Sequence, residues 1–252
     1  MSDPVEIHTH YPSPAGDFLP LLGYAPAAAP PRAAVVLFHG GGWQTGMPEQ
    51  FAPQTRALAA HGILALSAGY RLLGQGARSV GDCVDDARAV ARHARKLAAE
   101  HGAAGAPLFL GGGSAGGQLA LALGSETSEE TPYAGLVLFN PAVDLLEEAW
   151  LPLLPMLGLT EEAAKACSPL HLVRPGTPPA LLLHGTADQL VPIASARRYR
   201  DAQRAAGNDC RLVEYQGAPH GFFNPDTDDP GWFRDTTDRA VRFVLDHLDP
   251  LV

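Results

Sequence analysis

Leu108-Phe109-Leu110-Gly111-Gly112-Gly113-Ser114-Ala115-Gly116-Gly117-Gln118-Leu119 is the stretch on which the reading of the fold turns. Pro107–Gly111 is an apolar run that reads as a strand, and Ala115–Gly124 is a small-residue helix. Between them Ser114 stands in a G-x-S-x-G pattern. A serine on a tight strand-to-helix turn has a strained backbone, and the helix behind it packs close, so its neighbours must be small. The N-terminus of that helix also favours negative charge developing beside it. A plain glycine-rich turn has the same letters, so the information lies in the position between strand and helix. A phosphate-binding loop is the weaker reading, because no Gly-Lys-Ser/Thr ending follows.

Outward from this turn, apolar runs alternate with helical patterns. Ala33–Phe38, Ile63–Ala68, Leu136–Phe139, Ala180–His184 and Arg211–Tyr215 read as strands. Residues 49–61, 82–101, 194–206 and 232–248 read as helices, the first two stopped by Gly62 and Gly102. Such alternation implies an α/β fold, a mostly parallel central sheet with helices on both faces and right-handed crossovers. Chemistry in such sheets sits at the carboxyl ends of the strands. A Pro/Ala-rich connector at 25–32 sets off a short N-terminal segment. Residues 141–175, rich in proline and leucine, break the alternation and read as a small lid-like insertion within a single domain spanning 1–252.

Three further signals follow predicted strands. His39-Gly40-Gly41-Gly42-Trp43 is a glycine-rich backbone that can aim N–H groups at an oxyanion, and Gly41, Gly42 and Ala115 are the expected donors. His39 is read as an anchor for that loop rather than a base. His184-Gly185-Thr186-Ala187-Asp188 supplies an acid, with His184 supporting its turn, and Gly217-Ala218-Pro219-His220-Gly221-Phe222 supplies a base. The order Ser114, Asp188, His220 is that of a nucleophile, orienting acid and base brought to one sheet edge. Trp43 and Phe222 are candidate substrate-binding residues, with Phe223 beside them, although aromatic residues more often fill cores. His8 and His10 read as surface histidines of a strand, and no metal site is expected. Asp82, Asp85 and Asp86 suit a helix start, while Asp144 and Glu147 read as solvated.

Composition narrows the class. The 252 residues are 46% hydrophobic and 18% charged, as in a globular chain with a substantial core. A formal net charge of -9 argues against nucleic acid as a partner and fits neutral substrates better than anionic ones. No apolar run of membrane-spanning length occurs, and Met1–His10 lacks the basic start and apolar stretch of a secretory signal, so a cytoplasmic location is expected. Cys83, Cys167 and Cys210 read as reduced thiols, with a Cys167–Cys210 pair left open.

Taken together, His39–Trp43, Tyr70-Arg71-Leu72, Gly112–Gly117, Asp188 and His220 resemble the hormone-sensitive-lipase-like and BD-FAE-like serine esterases of the α/β-hydrolase superfamily. The resemblance runs from about Val35 to Leu248. It implies the α/β-hydrolase fold, a Ser–Asp–His triad with an oxyanion hole, no cofactor and no metal. Such esterases are similar to acetyl-xylan and feruloyl esterases and to small carboxylesterases acting on short acyl chains, and the resemblance implies a small-molecule ester substrate with a short, acetyl-like acyl group. Few residues precede His39, so no full N-terminal cap is expected, which points to the smaller group and away from long-chain lipids. Gly113 stands where many lipase-like members carry an acid, and Gln118 where histidine is frequent in the smaller group. Kynurenine formamidases share the His-Gly-Gly-x-Trp layout, so a formamidase is the alternative. A non-catalytic binding protein on the same fold is disfavoured by the intact triad. The reading includes no membrane partner and admits a homodimer.

Overall fold

In the computed structural model, which describes residues 3–126, 132–227 and 229–248, the apolar runs become strands of one eight-stranded sheet. The strands are β1 (Val5–Pro12), β2 (Phe18–Ala25), β3 (Ala33–Phe38), β4 (Ile63–Ala68), the two-residue β5 (Leu72–Leu73) and β6 (Gly76–Ala77), β7 (Leu108–Gly113), β8 (Gly135–Phe139), β9 (Ala180–Gly185) and β10 (Cys210–Tyr215). The helices are α1 (Ala52–Ala60), α2 (Val80–Glu100), α3 (Ala115–Ser125), α4 (Glu161–Cys167), α5 (Ile193–Ala205) and α6 (Pro230–Asp246). The sheet order is β1-β2-β4-β3-β7-β8-β9-β10, with β5 and β6 forming a separate pair. All neighbours from β4 across to β10 are parallel.

The parallel centre explains the continuous apolar runs. Side chains alternate across a strand, so a strand covered on both faces needs an apolar residue at every position. In β3, Ala34, Val36 and Phe38 enter the core shared with α2, α3 and α5, whereas Ala33, Val35 and Leu37 enter the core shared with α1 and α6. The strands β8 and β9 divide in the same way, Leu138 and Leu182 to one side, Val137 and Leu181 to the other.

The structure departs from expectation at the edges of elements. The short N-terminal segment is an antiparallel hairpin, β1 with β2, added to the sheet beside β4. Its strands are mostly half-exposed, so their apolar signal is diluted. His8 and His10 are exposed there, as expected, while residues 1–2 of the N-terminal reading lie outside the described residues. The helix expected over 49–61 divides into a 3-10 turn, Pro48–Phe51, and α1. Helix α6 starts at Pro230, not Trp232, because Asp229 accepts from the Gly231 N–H at 2.8 Å and proline fits the first helical position. Residues 141–175 carry α4 and two 3-10 turns, Leu151–Leu153 and Pro169–Leu172. Cys83, Cys167 and Cys210 are all free thiols, which closes the Cys167–Cys210 alternative. Among the described residues, no helix is long and apolar enough to cross a membrane.

Candidate active site

Ser114 is the single residue between β7 and α3. Its φ is 53° and its ψ −117°, a left-handed-side conformation that a non-glycine residue adopts only when its surroundings enforce it. Those surroundings are visible. The Ser114 N–H donates to the Phe139 carbonyl at 2.9 Å, and the Ser114 carbonyl accepts from the Gln118 and Ala142 N–H groups at 3.1 Å each. A Cβ on Gly116 would stand 2.0 Å from the Phe38 carbonyl oxygen, so α3 lies directly against the end of β3 only because glycine is there. The strand-turn-helix reading of the sequence thus becomes a half-buried serine on a sharp turn at the cavity wall.

His220 and Asp188 meet. His220 Nδ1 is 2.8 Å from Asp188 Oδ2. An ionised carboxylate only accepts, so Nδ1 carries the proton and Nε2 remains available as an acceptor. Asp188 Oδ1 accepts from the Leu190 and Val191 N–H groups at 2.9 Å each. His184, fully buried, brings Nε2 to 2.8 Å from the Val191 carbonyl and 3.4 Å from Asp188 Oδ2. Burial pushes the Asp188 carboxyl up, but the hydrogen bonds from His184, His220 and Val191 outweigh it and hold it well below the usual carboxylate range. Ser114 and His220 line one cavity of about 510 Å³. Among the described residues Ser114 and His220 make no direct hydrogen bond. Instead the amide nitrogen of Asn140 lies 3.3 Å from His220 Nδ1 and 3.4 Å from Nε2.

The glycine loop after β3 is built to leave N–H groups free. Gly41 has a φ of 115°, and a Cβ there would meet the Thr45 carbonyl oxygen at 2.2 Å. Among the described residues, the N–H groups of Gly41, Gly42 and Ala115 have no protein acceptor. His39 anchors the loop as expected. Its Nδ1 donates to the Gly40 carbonyl at 2.7 Å, and its ring stacks on Tyr70 with centroids 4.3 Å apart. Tyr70 in turn donates its hydroxyl to the His39 carbonyl at 3.0 Å. Burial lowers the His39 pKa, so a neutral ring is favoured.

Two expected residues do not reach the cavity. Trp43 is fully buried and donates Nε1–H to Gln118 Oε1 at 3.1 Å, while Gln118 donates to the Cys167 carbonyl at 2.8 Å. Phe222 is also fully buried, packed between Tyr215 and Trp232. Both are core residues, because the chain turns them inward from their loops. The apolar walls are instead Ala149, Trp150, Leu153, Leu190, Val191 and Phe223. Gln50, Gln189 and Asn224 supply amides, and among the described residues no Lys, Arg, Asp or Glu lines the space. Asn140 and Gln50 escaped the sequence reading. The one signal for Asn140 in the sequence is its position directly after β8 at a carboxyl strand end; its φ of 37° and complete burial are visible only in the structure. Asp86 is no helix-end ornament but the partner of Arg71, and Asp144 accepts from the Leu146 N–H at 3.0 Å and contacts His171.

This sheet, with a serine elbow, an Asp–His pair and a glycine loop at its carboxyl edge, defines a hydrolase architecture. The chain belongs to the α/β-hydrolase fold family, whose model matches residues 35–224. It is similar to esterase 2 of Thermogutta terrifontis in a form phosphoramylated by tabun, with a TM-score of 0.85, 36% identity, and coverage of 98% of this chain and 96% of that one. The propionate-bound and butyrate-bound forms of that esterase match with TM-scores of 0.84 and 36% identity over the same shares of each chain. A Methylorubrum extorquens protein that bears the name carboxymethylenebutenolidase is 48% identical over 44 residues, which are 18% of this chain and 15% of that protein.

Proposed function

We propose that the chain is a serine esterase that hydrolyses short-chain acyl esters through a Ser114–His220–Asp188 triad and an acyl-enzyme. The coarser statement, that it is a carboxylic ester hydrolase, rests on family membership and on the esterase neighbours. The observation that carries the finer reading is the His220–Asp188 hydrogen bond at 2.8 Å beside a cavity that Ser114 also lines. Ser114 Oγ attacks the acyl carbonyl while His220 Nε2 takes its proton. The oxyanion is met by the unpaired N–H groups of Gly41, Gly42 and Ala115. His220 then protonates the leaving alcohol, and water, activated by the same nitrogen, releases the acid. Because Asp188 stays ionised, it fixes the tautomer and stabilises the imidazolium.

The short-acyl preference is supported by the neighbour that holds propionate and butyrate. Its tabun adduct supports a nucleophile reactive toward organophosphorus compounds. The same reading takes the chain to act as one domain, with 141–175 as a lid-like insertion, on a small-molecule ester in the cytoplasm. The test is hydrolysis of a p-nitrophenyl ester series, acetate to long acyl chains, by wild type and Ser114→Ala, with fluorophosphonate labelling of both. Turnover confined to short chains, and both turnover and labelling lost in the variant, is the expected result. Wild-type turnover in Ser114→Ala would remove the nucleophile assignment. Folded protein silent on every ester would move the reading to formamides.

A further inference from the structure

The oxyanion loop leaves β3 and the His220 loop leaves β10, and three strands, β7, β8 and β9, separate them in the sheet. One side chain reaches both. Gln50, in the 3-10 turn that leads into α1, accepts the Gly40 N–H on Oε1 at 2.6 Å. Its Nε2 donates to Asn224 Oδ1 at 3.3 Å. Asn224 Nδ2 donates to the Gly221 carbonyl at 2.9 Å, directly after His220. One helical turn beyond Gln50, the buried Gln54 donates to the Phe223 carbonyl at 3.0 Å. The head of α1 is therefore a common beam for the loop with the candidate oxyanion donors and the loop with the base. Gln50 and Asn224 both line the cavity with Ser114 and His220.

We propose that Gln50 is a positioning residue that locks the oxyanion loop in register with the His220 loop through Gly40 and Asn224. The inference rests on the Ser114–His220 reading above. Its physical basis is the freedom of the glycine run. The Gly41 N–H shares its peptide plane with the Gly40 carbonyl, which His39 Nδ1 holds at 2.7 Å, and the Gly40 dihedrals join that plane to the preceding one, where glycine by itself resists little rotation. The Gln50 acceptor pins the Gly40 N–H and so fixes one end of the run. Donors that must meet an oxyanion act through preorganisation, and misplacement by about 1 Å can cost about 100-fold in rate. Asn224 gives the lock its second half, because a donor array and a base that move independently cannot both be aligned with one tetrahedral carbon.

The test is Gln50→Met, which keeps side-chain length but makes neither hydrogen bond, measured beside Asn224→Ala, the double variant and Ser114→Ala. With p-nitrophenyl butyrate, Gln50→Met should lose about 10- to 100-fold in kcat with KM changed by less than about twofold, the signature of an interaction realised in the transition state. A trifluoromethyl ketone, whose serine adduct carries an oxyanion, should bind more weakly by the same factor as kcat/KM falls. The double variant should lose little more than the larger single loss, since both side chains serve one link. Full kcat in Gln50→Met, a loss confined to KM, unchanged ketone inhibition or additive losses would each overturn the lock. If Gln50→Met melts well below wild type, Asn224→Ala carries the test with the same kcat, KM and ketone readouts. Turnover kept in Ser114→Ala would remove the underlying reading and the lock with it, whereas a dead Ser114→Ala beside a fully active Gln50→Met overturns the lock alone.

Discussion

Asp188 is a carboxylate with four N–H neighbours around it: two histidine rings and two backbone groups. This arrangement makes two predictions at the scale of one residue. Asp188→Asn should lower kcat by about 10,000-fold, because the amide no longer holds His220 in the tautomer that leaves Nε2 free. The second concerns stability. The Asp188 carboxyl is held below its ordinary value in the folded chain. Its contribution is therefore present above the unfolded carboxylate value of about 4 and is lost as pH falls through the folded value. Denaturant midpoints measured from neutral to acidic pH should show a shallower acid limb in Asp188→Asn than in wild type. An equally steep limb in the variant would assign that acid sensitivity to other carboxylates.

Among elements, the glycine loop after β3, the candidate oxyanion loop, is held from behind by a segment outside the cavity lining. Residues 70–73 present Tyr70 to His39, and the Leu73 N–H donates to the Trp43 carbonyl at 2.8 Å. Arg71 ties that segment to α2. Its Nη2 and Nε each lie 2.8 Å from an Asp86 oxygen, and the Arg71 N–H donates to Asp86 Oδ2 at 2.9 Å. Both side chains are buried, Asp86 completely. Removing one partner of such a pair strands the other charge, so Asp86→Ala should cost about 3–5 kcal/mol. Urea denaturation of the two proteins checks this, and a loss below about 1 kcal/mol would mean that water reaches Arg71 in the variant. The double-headed arrangement places Tyr70-Arg71-Leu72 behind the glycine loop and outside the cavity lining, as a support for the candidate site.

Across the whole molecule, charge and cavity agree. The chain carries a net charge of -9, and besides Ser114 and His220 its cavity is lined by backbone glycines, amides and apolar groups, with no Lys or Arg among the described residues. A second carboxylate, at the far end of the acyl chain, would lose hydration against the apolar walls and meet no cationic Lys or Arg among the described lining residues, while the long-range field opposes its approach. A p-nitrophenyl hemisuccinate should therefore show a kcat/KM at least about tenfold below that of the butyrate, equivalent to about 1.4 kcal/mol. Added salt should narrow the part of the gap that comes from the distant field and leave the part that comes from desolvation. Equal rates for the two esters would show that a cation outside the lining residues reaches the substrate.

The sequence by itself determined the parallel sheet and the three candidate catalytic positions. Continuous apolar runs are what strands covered on both faces require, and small residues around Ser114 are what a tight elbow requires, so both are written locally. The N-terminal hairpin was legible only as alternation at His8 and His10, because half-exposed edge strands need few apolar residues. Only the tertiary structure decided the shape of the cavity. Adjacent aromatic residues diverge at Phe222 and Phe223, one sealed in the core and one on the cavity wall, a choice made by packing against Tyr215 and Trp232. It also decided that Gln50, Asn140 and Asn224 meet loops whose sequence positions lie far away. An amide side chain carries no periodic signal, and its role depends on which backbone group folding brings within about 3 Å of it.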